Sequence, residues 1–325
     1  MIKSNFPKQT DRIALGTVQF GLTYGITGAG KVHLEEVHKI LNYARENRIN
    51  TLDTAINYGD SERLLGEVGI CELNTVTKLP MIPGRCRNLE EWVIESVHGS
   101  LGRLKIPKLY GLLLHHPQDL LGESGQQLYS ALQICKDRGE VQKIGISIYD
   151  PSDLDIILKK YHIDLIQAPF NVIDRRLETT RNSVGSFWLD DLHESGIEIH
   201  VRSIFLQGLL LMEKNQRPVK FNRWNKLWES WHTWLKENQI SAIQACLNFV
   251  LSCSQIDRIV MGVESLAQLK EIIETIIPNA NFQIFTPAIN IIIIPSKKIL
   301  KDVPKSGCIM TRKKGAAIIK KGINK

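Results

Sequence analysis

No uninterrupted apolar run in this sequence approaches the roughly 18 residues that a bilayer-spanning helix needs. No Cys-x-x-Cys pair occurs either. The six cysteines (Cys71, Cys86, Cys135, Cys246, Cys253 and Cys308) are scattered. That argues against structural zinc and against a disulfide framework, and free thiols suit a reducing compartment. The opening residues, MIKSNFPKQTDRIALG, hold no signal-peptide-like apolar core. A cytoplasmic protein with no membrane partner and no bound metal is expected. The dinucleotide fingerprint G-x-G-x-x-G is also missing after the first apolar stretch. Gly25, Gly28 and Gly30 lie near that place, but their spacing is wrong and no helix opens on them.

What is there is ordinary for a globular chain. Of 325 residues, 43% are hydrophobic and 23% charged, enough for a large core without staples. This length can mean two domains, but α/β barrels often run as long in one. The net charge of +7 is unevenly placed. Between 297 and 325, ten Lys or Arg face a single acid, Asp302, so this stretch carries +9 and residues 1–296 carry −2. The basic pI therefore says nothing of a nucleic-acid groove on the body, and no nucleic-acid partner is expected. The natural division is a barrel unit over 1–278 and a basic tail over 279–325, disordered or truncated, poor in acids and aromatics.

Short apolar runs alternate with amphipathic stretches along the body. Strands are predicted at 13–16, 49–53, 74–78, 109–115, 141–147, 163–168, 197–203 and 256–262. A helical pattern follows each, as at 34–47, where Val37, Ile40, Leu41 and Ala44 share one face. Strand–helix alternation favours a parallel sheet with helices outside, and eight such units suggest closure into a (β/α)8 TIM barrel. The long connection over 209–237 places Trp224, Trp228, Trp231 and Trp234 on one helical face. The plainer reading is a packing stripe that docks an extra helix. The sharper one is an aromatic wall over a pocket.

In such barrels the chemistry sits at the C-terminal ends of the strands. Asp53 ends the second predicted strand in LDTAINYG, with Tyr58 in the loop that follows. Lys78 ends the third, in VTKLP, and His115 and His116 end the fourth, in LLLHHP. Each alone has a plain reading: a helix cap for Asp53, a loop tyrosine, a solvated lysine, a packing histidine. Together they make a specific chemistry. A Lys ammonium beside a Tyr stabilises tyrosinate and makes the phenol a better acid. A carboxylate holds the Lys in place, and a His can orient and polarise a carbonyl. Such a set protonates a carbonyl oxygen while hydride reaches its carbon. No side chain supplies hydride, so a cofactor must.

LDTAINYG, the TK of the third strand and LLLHHP resemble the signature of the aldo-keto reductase superfamily. IALGTVQFG, KIGISIYD and IQAPFNVIDRR resemble its bacterial branch, and the likeness runs over residues 13–277. The resemblance implies a barrel that binds NADP(H) or NAD(H) across its mouth, as a monomer or weak homo-oligomer. It makes Tyr58 the general acid, tuned by Lys78 and Asp53. His115, two places before Pro117, matches the family's histidine. His116 and Tyr24 then line the substrate pocket. Gly16, Thr17, Ser147, Gln167, Arg202, Ser203, Gly262, Glu264 and Gln268 fall at cofactor positions. Three departures stand out. Ile148 replaces an Asn, Arg202 stands near the place of a nicotinamide-stacking Tyr, and Glu264 stands where NADP-preferring members put a cation. A carboxylate there would repel a 2′-phosphate and favour NAD(H).

The implied activity is reduction of an aldehyde or ketone, sugar-like in one version, to an alcohol. The alternatives are a cofactor-binding regulatory module with little turnover and a sugar-modifying enzyme that uses nicotinamide without net redox change.

Overall fold

The computed structural model describes residues 9–24, 30–179, 186–276 and 285. Apart from Phe285, the basic tail lies outside the described residues, as do Gly25 and Gly28. Eight strands, β1 (Ile13–Gly16), β2 (Thr51–Asp53), β3 (Asn74–Leu79), β4 (Leu109–Leu114), β5 (Val141–Ser147), β6 (Leu165–Pro169), β7 (Glu198–Arg202) and β8 (Arg258–Gly262), close in sequence order. Every neighbouring pair is parallel, and β8 returns to β1 with Gly262 opposite Gly16. The helices are α1 (Val18–Gly21), α2 (Leu34–Glu46), α3 (Ser61–Val68), α4 (Leu89–Leu104), α5 (Gly125–Asp137), α6 (Leu154–Lys160), α7 (Trp188–Glu194), α8 (Asn225–Glu237), α9 (Ala242–Ser252) and α10 (Leu266–Thr275). The chain is a (β/α)8 barrel, as its alternation implied. Among the described residues no helix is long and apolar enough to cross a membrane.

Strand periodicity sorts side chains between two compartments. One set packs outward under the helices, in a continuous cluster that includes Leu15, Leu52, Leu112, Ile146, Ile166 and Ile199. The other faces the barrel axis. There Val76, Leu113 and Leu165 form a separate small layer, with Tyr110 packed on it. Gly145 makes room for it, since a Cβ there would fall 2.4 Å from Leu113 Cδ2 and from the Leu165 carbonyl oxygen. One step further along the same inward rows stand Asp53, Lys78, His115, Ser147, Gln167 and Arg202. A single alternation thus both fills the barrel and aims its polar residues at the mouth.

The tryptophan stripe is a packing device. Trp228 and Trp231 are fully buried, and their indole N–H groups donate to the carbonyls of Phe221 (3.0 Å) and Leu210 (3.1 Å). Trp234 stacks on Trp231 at 5.7 Å between ring centroids, and Phe285 packs edge-on against both. Phe285 lies past 278, on the side of that boundary assigned to the tail, and is buried.

Candidate active site

Lys78 is only 1% exposed, and its Nζ donates to Asp53 Oδ1 at 2.7 Å and to the Thr54 carbonyl at 2.8 Å. Asp53 Oδ2 accepts from Gln167 Nε2 at 2.6 Å, and Ser147 Oγ donates to Gln167 Oε1 at 3.3 Å. The carboxylate is thus held from both sides, as a buried charge must be. Burial pulls the Lys78 ammonium below its ordinary range and the Arg202 cation adds to this, while Asp53 opposes them.

Above this pair sits Tyr58. The Lys78 Nζ lies 5.1 Å from the centroid of its ring, and the His115 ring meets it edge-on at 6.0 Å. Burial first, then the fields of Lys78, Arg202 and His116, push His115 down to about 3. The imidazole is therefore neutral at physiological pH, with one ring N–H to donate and one ring nitrogen to accept.

The loop that carries Tyr58 is fixed by close backbone packing. Gly59 takes φ +58, a conformation that favours glycine. A Cβ on Gly21 would fall 1.6 Å from the Tyr58 carbonyl oxygen, so only glycine lets α1 approach. Ser61 Oγ then donates to the Thr17 carbonyl at 2.9 Å, tying the start of α3 to the end of β1. Thr17 itself donates through Oγ1 to the Asp53 carbonyl at 3.0 Å.

Tyr58 and Asp53 open into a cavity of about 300 Å³. Gly16, Thr17 and Tyr24 line it on the β1 side, and Arg202, Ser203, Gly262, Glu264 and Gln268 on the β7–β8 side. Lys78, His115, Ser147 and Gln167 are not among its lining residues; Lys78 and Gln167 hydrogen-bond to Asp53, Ser147 to Gln167, and His115 packs on Tyr58. His116 is the outlier. Its side chain is 47% exposed, and its Nδ1 pairs with Asp119 at 3.0 Å, so it does not line this cavity.

Sequence reasoning missed Gln19 and Glu271, which also line the cavity. Gln19 packs so closely that a Cβ on Gly262 would fall 2.4 Å from its Oε1. That oxygen is buried and accepts no hydrogen bond among the described residues. An unmet acceptor in a cavity wall suits a ligand amine or amide, groups that a nicotinamide dinucleotide carries. The glycine in the cavity wall and this acceptor fit that cofactor. At the β8–α10 end the described lining residues include Glu264 and Glu271 but no Lys or Arg; burial pushes the Glu264 carboxyl upward.

Comparison with known proteins identifies the family. The profile of the Aldo/keto reductase family matches residues 12–284. A curated relative, the NADH-specific methylglyoxal reductase of Escherichia coli (strain K12), is 24% identical over 266 residues, covering 69% of this chain and 77% of its own. The holo form of an aldo-keto reductase from Bacillus halodurans superposes with a TM-score of 0.63 at 18% identity, covering 90% of this chain and 92% of that one. A Pseudomonas aeruginosa protein described as an aldo-keto reductase gives 0.59 at 19%, covering 82% and 89%. At such identities the solved structures speak for the fold alone, whereas the profile spans most of the chain. This chain belongs to the Aldo/keto reductase family, and is an NAD(P)-dependent oxidoreductase of that family.

Proposed function

We propose that this enzyme reduces a small aldehyde or ketone to an alcohol with Tyr58 as the proton donor, and that it prefers NADH to NADPH. The observation that carries the first part is the buried Lys78–Asp53 pair directly beneath the Tyr58 ring. A cation fixed there stabilises the phenolate left behind when the Tyr58 hydroxyl gives up its proton. Asp53 keeps Lys78 charged and in place. Neutral His115, beside the Tyr58 ring, supplies a hydrogen bond that orients the carbonyl oxygen. Bound nicotinamide supplies the hydride. Gly16, Thr17, Ser203, Gly262, Glu264 and Gln268 would hold the cofactor along the cavity, with Ser147 and Gln167 reaching it from below.

The test of the first part is Tyr58→Phe, assayed by NADH consumption over a panel of aldehydes and ketones that includes methylglyoxal. We expect kcat to fall by roughly 100- to 10,000-fold, the usual share of a general acid. NADH binding, followed by fluorescence titration, should change little. Turnover that survives the substitution would refute the role given to Tyr58.

The preference for NADH rests on the acidic β8–α10 end of the cavity. A 2′-phosphate placed there meets Glu264 and Glu271 and no cation among the described lining residues. On the order of 1 kcal/mol of repulsion per nearby charge corresponds to roughly 5- to 10-fold weaker binding. The NADH specificity of the Escherichia coli relative points the same way. Competitive titration with both cofactors checks it, and Glu264→Arg should narrow or invert the difference. Tighter binding of NADPH by the native protein would overturn the proposal.

A further inference from the structure

We propose that the carbonyl substrate is an oxo acid, and that Arg202 binds its carboxylate. The proposal rests on the carbonyl-reducing role of Tyr58 given above. Arg202 closes β7 opposite Pro169, and its side chain reaches back over β6 to the end of β5. Its Nη2 donates to the Ile148 carbonyl at 3.1 Å, and its guanidinium lies 4.4 Å from the centroid of the Tyr149 ring. This holds the group in the wall of the cavity that Asp53 and Tyr58 also line. A planar cation stacked on a ring is well positioned and weakly hydrated.

Its charge is not neutralised by the protein described. A guanidinium carries five N–H donors. Among the described residues those of Arg202 reach the Ile148 carbonyl and, at 3.5 Å, the Ser203 hydroxyl. Among the described residues no carboxylate lies within ion-pair distance of it. Asp53, the acid nearest the chemistry, is already engaged by Lys78 and Gln167. The β7 side of the cavity thus sets two cations, Lys78 and Arg202, beside Asp53, while the other carboxylates of its lining, Glu264 and Glu271, stand at the β8–α10 end and make no ion pair with Arg202. A half-buried guanidinium with free donors facing a cavity is a site for a bidentate anion, and its fork matches a carboxylate. Tyr58 and Arg202 line the same cavity, so a molecule with its carbonyl oxygen at Tyr58 would turn its carboxylate toward Arg202. The carboxylate takes no part in the bond changes. Oxo acid, NADH and one proton give hydroxy acid and NAD+. The C=O π bond becomes C–H and O–H, and the proton comes through Tyr58.

The test compares phenylglyoxylate with its methyl ester, the same carbonyl with and without the charge. For the native enzyme kcat/KM should favour the acid, and added salt should shrink that preference. In Arg202→Gln the acid-to-ester ratio should fall by roughly 10- to 100-fold, the range for hydrogen bonds to a charged group. Arg202→Lys should recover part of it, since a point charge remains. A ratio that is the same in native enzyme and Arg202→Gln would overturn the proposal. Oxamate, an unreactive carboxylate, gives a second reading through titration of the NADH-loaded protein. Its binding should be lost in Arg202→Gln, and equal binding by both proteins would also overturn the proposal. These readings separate the two claims. If the native enzyme reduces no carbonyl yet oxamate binds through Arg202, the function proposed above fails and this site stands. If reduction depends on Tyr58 but the ratio ignores Arg202, only this site fails.

Discussion

His115 and Lys78 are both cations by nature placed where a cation is costly, and the protein answers differently in each case. Lys78 receives a carboxylate. His115 receives none and stays neutral, pushed to about 3 by burial and the neighbouring positive charges. That difference has a sign that can be measured. In the unfolded chain His115 titrates near the ordinary value of about 6.5. Between there and about 3 the unfolded chain binds a proton that the folded one refuses. Stability contributed by neutral His115 is therefore intact above about 6.5 and is lost as the pH falls toward 3. His115→Gln, which cannot take up the proton, should give a flatter melting temperature between about pH 6.5 and 4 than the native protein. An equally steep loss in both would show that His115 is not the group responsible. Asp53, Lys78 and His115 were legible because strand ends in a barrel are where chemistry collects. Gln19 was not, because a single amide in a four-residue helix carries no periodic signal. The engagement of Gln167 with Asp53 was hidden for another reason: it joins residues 114 apart.

Elements were legible wherever a run of residues repeats one burial pattern, and less so where a few hydrogen bonds decide. The second strand is an instance. Apolar character predicted its start at 49, but β2 begins at Thr51. Ile49 N–H is spent on the Ala44 carbonyl at 2.9 Å, closing α2 after Arg48 turns left-handed at φ 62. The tryptophans of α8 show the converse. Their spacing announced a helix, but two readings of its face remained, and only the indole hydrogen bonds and the contact with Phe285 make it a packing face. Trp231→Ala should therefore act through the scaffold. Loss of a fully buried tryptophan costs about 3–5 kcal/mol and leaves the Leu210 carbonyl without its donor. Because Leu211 lines the cavity proposed for the cofactor, the KM for NADH should rise with the loss of stability. Denaturant unfolding together with a cofactor titration checks both. A destabilised variant with native NADH affinity would mean that α8 does not support the cavity wall.

On the scale of the whole barrel, the two ends of the strands divide the labour. The C-terminal end carries Asp53, Lys78, His115 and Arg202. The opposite end carries a polar cluster centred on Glu198, the first residue of β7. One carboxylate oxygen of Glu198 is shared by Lys143 and by Tyr110 (2.7 Å from its hydroxyl), and the other pairs with His200 Nε2 at 2.7 Å. Burial alone would raise this carboxyl, but the hydrogen bonds and fields of His200, Lys143 and Tyr110 outweigh it and bring it to about 2. The folded carboxylate is thus favoured over the unfolded one, whose ordinary value is 4.5. The stability it contributes is complete above about 4.5 and is lost as the pH falls toward 2. Glu198→Gln keeps the shape and removes the charge that gathers these three partners. At neutral pH it should cost about 1–3 kcal/mol, since donors are left buried and poorly met. It should also flatten the acid limb of the stability curve below about pH 4.5. Conservation of function at one end and of stability at the other is the general plan of such barrels. Accordingly kcat and KM at neutral pH should stay within about twofold of native, whereas a change at Arg202 or Tyr58 should do the reverse. A Glu198→Gln enzyme of native stability and altered kcat would contradict this division, because it would couple the base of the barrel to the proton donor at its mouth.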